Sequence, residues 1–139
     1  MKKISVIIGF YDGNKYMSKL KKIIDSNYEL LREIVELEII FINDSPWIDV
    51  RTDIFTNNKY SVKVINHKKN EGIHQARVTG IYNASGEYVM ILDQDDIIRR
   101  DCILILYDLI EATNCDCVIG NGVFQTKDGE KIILNSGDP

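Results

Sequence analysis

Four apolar runs rich in β-branched residues limit this chain more than any other feature: KISVIIGF at 3–10, LEIIFIN at 37–43, YSVKVINH at 60–67 and EYVMILD at 87–93. KISVIIGF and LEIIFIN have no helical period and are apolar on both faces, as expected of strands covered on both sides of a sheet. The intervening segments read differently. From Asn14 to about Asn27 the positions Met17, Leu20, Ile23 and Ile24 recur at helical spacing, with Asn14 as the cap; YELLREIVE either prolongs that helix or starts another. VRTDIFTNN predicts a short helix. Ile73 to Ala84 predicts a longer one, with Ile73, Ala76, Gly80, Ile81 and Ala84 facing inward and Gly86 closing it. Strands alternating with helices predict an α/β fold with a mainly parallel sheet and right-handed crossovers.

Beyond the fourth run, Asp101 to Thr113 predicts a helix rich in Ile and Leu, and after Cys115 the pattern becomes CDCVIGNGVFQT and KIILN, strands around a Asp128-Gly129 turn. Neither repeats nor a low-complexity linker divide the 139 residues, so 1–139 is expected to form one domain. Seventeen Lys and Arg against twenty-one Asp and Glu give a net charge of -4, so the overall field does not attract nucleic acid, and any phosphate binding must be local. Cys102, Cys115 and Cys117 are too few and too unevenly placed for a disulfide framework. Cys115 and Cys117 also make a poor zinc site, because His67 and His74 lie far back in the chain. The apolar start stops at Asp12, unlike a signal peptide, and no stretch reaches the roughly 20 apolar residues that span a bilayer. The cytoplasm is the default compartment.

In parallel sheets ligands sit beyond the carboxyl ends of the strands. That rule gathers Phe10 to Asp12, Asn43 to Ser45 and Asp93 to Asp96 on one rim. There GEYVMILDQDD sets Asp93, Asp95 and Asp96 against one another, and carboxylates this close repel unless water, a donor or a cation relieves them. Spacing alone leaves two readings open. Asp95 or Asp96 caps the following helix, or the hard oxygens hold Mg²⁺ or Mn²⁺, which usually shares its shell with substrate phosphates. A lone Asp such as Asp44 is more often a turn former than a ligand contact, and its interest comes from sharing the rim with the acidic loop. Arg77 reads as a solvated helical residue unless it turns to the rim, where its fork of donors suits a carboxylate or phosphate.

Taken together, ISVIIGFYDGNKYMSKLKKII, LEIIFINDS and NEGIHQARVTGIYNASGEYVMILDQDD resemble, in order, the family 2 glycosyltransferases of the GT-A fold, which use nucleotide-sugar donors. The last block is the most specific, with Asn70, Gly72, Ala76, Arg77, Gly80, Gly86 and Tyr88 in register with Asp93 to Asp96. The resemblance implies a Rossmann-like nucleotide-binding fold and inverting, metal-dependent transfer of a sugar, from a UDP-sugar, to an acceptor hydroxyl. It implies that Gly9, Phe10, Tyr11 and Asp12 hold the nucleoside, that Asp44 bonds the base, and that Arg77 orders the site. Asp93 would meet the ribose, Gln94 would lie against the nucleotide, and Asp95 would carry Mn²⁺ or Mg²⁺.

Several positions depart from the family pattern. Gly9 and Phe10 stand where Pro and Thr are usual, Asn43 replaces an acid, and SPWID replaces a smaller loop, which leaves Trp47 as either a packing residue or a lid. No acid among Asp116, Asp128, Glu130 and Asp138 matches the motif of the general base, so the chain is expected to be a donor-binding part lacking the acceptor segment. Its acceptor, glycan, lipid or protein, is not legible; an acceptor lipid would bring it to the membrane periphery, and homo-oligomerisation stays open. Two other readings compete: a nucleotide-sugar-binding module without turnover, and a receiver-type signalling domain that binds Mg²⁺ at acidic strand ends.

Overall fold

The computed structural model describes residues 1–56, 59–125 and 131–134, the last two strands as backbone. The chain divides into two compact units, 1–100 and 101–139, which are described separately.

Unit 1 is built on four strands: β1 (Lys2–Phe10), β2 (Val35–Asn43), β3 (Ser61–Asn66) and β4 (Tyr88–Asp93). All pairs are parallel and the order is β3-β2-β1-β4. This is the dinucleotide-binding order rather than the receiver order, in which β1 would lie between β2 and β3. The order reverses between β1 and β4, so the crevice at a topological switch point opens at the carboxyl ends of these two strands. Register then does the positioning. Gly9 pairs with Asp93, Phe10 with Asn43 and Asn43 with Asn66, which aligns the predicted rim across the sheet.

Helix α1 (Met17–Leu31) buries Met17, Leu20, Ile23, Ile24 and Leu31, so YELL does prolong the first helix. Asn14 is not its cap. It starts a short 3-10 turn (Asn14–Tyr16), and its amide instead donates to the Asp49 carbonyl at 2.9 Å and accepts from the Arg51 amide at 3.0 Å. Residues 52–55 of VRTDIFTNN form a 3-10 turn whose Phe55 packs on Phe41.

Helix α2 (Ile73–Asn83) lies on β1 and β2, with Ala76 packed among Ile7, Ile40 and Ile42. Burying each such isoleucine contributes about 1.5–3 kcal/mol. Of the predicted inward positions, Ala76 and Gly80 are buried and Ala84 is partly so, but Ile73 and Ile81 are exposed. The inward face is narrow because the helix comes very close to the sheet: a Cβ on Gly80 would collide with the Ile7 side chain. Gly86 does not close the helix. The chain leaves it at Ala84 in an extended conformation, and Gly86 serves the sheet, since a Cβ there would approach the Lys3 carbonyl to 2.7 Å.

Unit 2 contains α3 (Cys102–Thr113) and an antiparallel pair, β5 (Gly122–Gln125) and β6 (Lys131–Leu134). The two late strands form as the sequence predicts, while the Asp128-Gly129 turn lies outside the described residues. Cys102, Cys115 and Cys117 are free thiols. No described helix is long and apolar enough to cross a membrane.

Candidate nucleotide site

At the switch point a cleft of about 360 Å³ opens, lined by Gly9, Phe10 and Tyr11 after β1, by Asp44 after β2, and by Asp93, Gln94 and Asp95 after β4. This is within the range of small-molecule sites. Seven of the predicted residues thus line one cleft although the sequence separates them by more than 80 positions. The cleft also takes in Asn70, Gly72, Ile73 and Ala76, from the turn and helix after β3. None of these four was predicted as a site residue. The signal for three of them was in the resemblance, since Asn70, Gly72 and Ala76 belong to its most specific block.

Hydrogen bonds across loops fix the rim. Gln94 grips the backbone of Tyr11 from both sides, accepting from its amide at 3.0 Å and donating to its carbonyl at 3.1 Å, and so continues the β1–β4 ladder with a side chain. Gly13 leaves room for that amide, since a Cβ there would collide with it. Asp12 adopts a φ of 43°, and its amide donates to the Ser45 hydroxyl at 3.0 Å. Asn43 explains its own departure from the family pattern. Its side chain donates to the Ile48 carbonyl at 2.8 Å and accepts from the Ser45 amide at 3.0 Å, and a carboxylate cannot make the first bond.

Asp44 is buried at the head of this network. One carboxylate oxygen accepts from His67 Nδ1 at 2.9 Å and from the Glu71 amide at 2.7 Å, and the other accepts from the Gly72 amide at 2.9 Å. Burial pushes its pKa up, but the bond from His67 and the two amides outweigh it and hold the carboxyl below the ordinary range. Because an ionised carboxylate only accepts, His67 donates to it through Nδ1, while Nε2 lies 2.8 Å from the Thr79 hydroxyl. Asp44 therefore ties the turn at 71–72 to β2 and anchors α2, while Gly72, at a φ of 92°, supplies a backbone conformation that other residues rarely adopt.

Arg77 turns toward the rim, where its guanidinium donates to the Asp93 carboxylate at 3.1 Å. Asp96 folds back on the same turn, accepting from the Asp93 amide at 3.3 Å. Since α3 begins only at Cys102, neither Asp95 nor Asp96 caps it. Partial burial of the Asp96 carboxyl, reinforced by the charges of Asp93 and Asp95, raises its pKa above the ordinary value despite its amide bond. Among the described residues none of the ion pairs includes Asp95 or Asp96, and no three His, Cys, Asp or Glu side chains converge into a complete metal cage. Hard oxygens without a paired cation fit an octahedral ion that takes one or two carboxylates and completes its shell with phosphate and water.

A parallel sheet of this order, with polar groups from three loops around a cleft at its switch point, has the architecture of the dinucleotide-binding α/β folds. Residues 5–137 match the model of glycosyl transferase family 2, and the chain belongs to that family. It is 31% identical over 121 residues to glycosyltransferase GlyG of Streptococcus pneumoniae, covering 85% of this chain and 38% of that protein. To the cholesterol galactosyltransferase of Borreliella burgdorferi it is 34% identical over 118 residues, covering 84% of this chain and 31% of that one. The crystal structure of residues 1–349 of Staphylococcus aureus TarS in complex with UDP-GlcNAc superposes with a TM-score of 0.68 at 26% identity, covering 82% of this chain and 32% of that one. The chain thus spans well under half the length of each.

Proposed function

We propose that this chain is the donor-binding part of a glycosyltransferase that transfers a sugar, with inversion, from a UDP-sugar to an acceptor hydroxyl. One observation carries the proposal: the acidic end of β4 and the loop after β1 lie side by side in the lining of one cleft, with Arg77 held on Asp93. Family membership and the UDP-GlcNAc bound by TarS support a nucleotide-sugar donor.

In this reading the nucleoside lies along Gly9, Phe10, Tyr11 and Asp12. Asp44 faces the base with whatever accepting capacity its three internal bonds leave, while Asn70 and Ile73 close the opposite wall. Arg77 holds Asp93 in place for the ribose. Gln94 keeps the Tyr11 backbone still, and so limits the motion lost when the nucleotide binds. Asp95, with Asp93 beside it, would hold Mn²⁺ or Mg²⁺, whose chemistry is to neutralise charge on the diphosphate leaving group. No side chain is assigned as the general base, and the acceptor is proposed to dock on a further segment of the complete enzyme. The cytoplasm is the proposed compartment.

Calorimetric titration with UDP, with and without Mn²⁺, tests the donor site, and a sugar-release assay on UDP-GlcNAc tests turnover. Manganese-dependent binding with release supports the transferase. Binding without release favours the second reading, a nucleotide-sugar-binding module. No binding of UDP with or without the metal overturns both.

A further inference from the structure

Trp47 is 63% exposed, an unusual position for the largest side chain in the chain. It lies in SPWID, one of the stretches that depart from the family pattern. Packing and lid roles were the expectations for it, and the geometry fits neither. So exposed a ring fills no core, and the loop that carries it is tied at both ends. The Ile48 amide donates to the Ser45 carbonyl at 2.9 Å, Asn43 holds the Ile48 carbonyl, and Asn14 bridges the Asp49 carbonyl to the Arg51 amide.

Its described ring neighbour is Tyr11, with centroids 5.9 Å apart and planes at 85°. Tyr11 lines the cleft and is itself 52% exposed, while its backbone is clamped by Gln94. Only side-chain torsions remain for the Tyr11 ring to change, and an edge-on aromatic neighbour on a tied loop restrains those. The two rings form a right-angled corner with Tyr11 in the lining of the cleft, a shape that suits one planar ring laid on one face with its edge toward the other.

We propose that Trp47 is a positioning residue for the nucleobase: it braces the Tyr11 ring so that the corner receives the planar base of the donor. This inference rests on the nucleotide-sugar reading of the cleft, and it adds a contribution specific to the base from a loop outside the cleft wall. A ring braced before binding loses less freedom on stacking, so the benefit goes to ligands that carry a base and not to those with phosphates alone.

The test compares Trp47→Ala and Trp47→Phe with the unaltered chain by calorimetry in Mn²⁺, using UDP and inorganic pyrophosphate as probes. Trp47→Ala is expected to weaken UDP roughly five- to tenfold, the size of one aromatic pair, and to leave pyrophosphate unchanged, while Trp47→Phe recovers most of the loss. Unchanged UDP affinity in Trp47→Ala overturns the proposal. Equal weakening of both probes also overturns it, because the loop then acts on the fold or on the phosphate end. If the unaltered chain binds pyrophosphate but gains nothing from the base of UDP, the nucleotide reading fails first and this inference falls with it.

Discussion

The two ends of one sheet treat their carboxylates in opposite ways. At the amino end Glu38 is buried in β2, yet it accepts from the Ser5 hydroxyl at 2.6 Å, from the Ser85 amide and hydroxyl at 3.0 Å each, and from Lys63 at 3.2 Å. Gly86 completes the circuit by donating to the Ser5 hydroxyl at 2.9 Å. Burial would raise the Glu38 pKa, but these bonds outweigh it and lower the carboxyl from 4.5 to about 2. At the carboxyl end, about one strand length away, Asp96 is pushed upward by partial burial and by its neighbours Asp93 and Asp95. Satisfied charge locks the exit of α2 onto the sheet at one end. Crowded charge at the other end costs stability, and such cost is retained where a cation or ligand relieves it.

The largest expected effect lies at the amino end. Glu38→Ala orphans the Ser5 and Ser85 donors and should cost about 3 kcal/mol of unfolding free energy in urea titration while nucleotide affinity holds; a loss below about 1 kcal/mol would remove the contrast between the ends. The pH dependence should agree with it. The folded pKa of Glu38 lies below its unfolded value, so its contribution is complete above 4.5 and is lost as the pH falls toward 2. That loss amounts to about 3 kcal/mol, and it should vanish from the acid limb of a Glu38→Gln stability profile.

The carboxyl end should answer in affinity instead. Asp95→Ala is expected to weaken UDP at least tenfold in Mn²⁺, about 1.4 kcal/mol, with a thermal midpoint no lower than that of the unaltered chain. Equal affinity by calorimetry would remove Asp95 from the proposed metal site. The smallest effect belongs to Asp96→Asn, worth a few tenths of a kcal/mol at neutral pH and in the stabilising direction. Its sign follows from the raised pKa: the carboxyl favours the fold only while protonated, so what it contributes falls as pH rises through its folded pKa. A destabilised Asp96→Asn would show that the cluster is internally satisfied after all.

Much of this was legible in the chain. The apolar runs located the sheet because strands covered on both faces leave an unmistakable composition, and β1 and β2 are buried along nearly their whole length. The rim followed from one topological rule, and seven of the nine predicted site residues do line the cleft. Ile73 and Ile81 misled because helical period reports which residues share a face, not how wide a face the sheet can cover once Gly80 has drawn the helix close. Asn14 and Gly86 misled for a related reason: a cap signature is local, whereas both residues serve partners far along the chain.

By itself the sequence determined the α/β class, the strand ends that line the cleft and the family, since each depends on residue types at fixed short spacings. Only the tertiary structure decided what the polar groups do. It spent Asp44 on His67 and the turn at 71–72, turned Arg77 onto Asp93, left Asp95 without an ion-pair partner among the described residues, and set Trp47 against Tyr11. Whether a charge is satisfied depends on distances between segments remote in the chain, and those distances exist only once the sheet has formed.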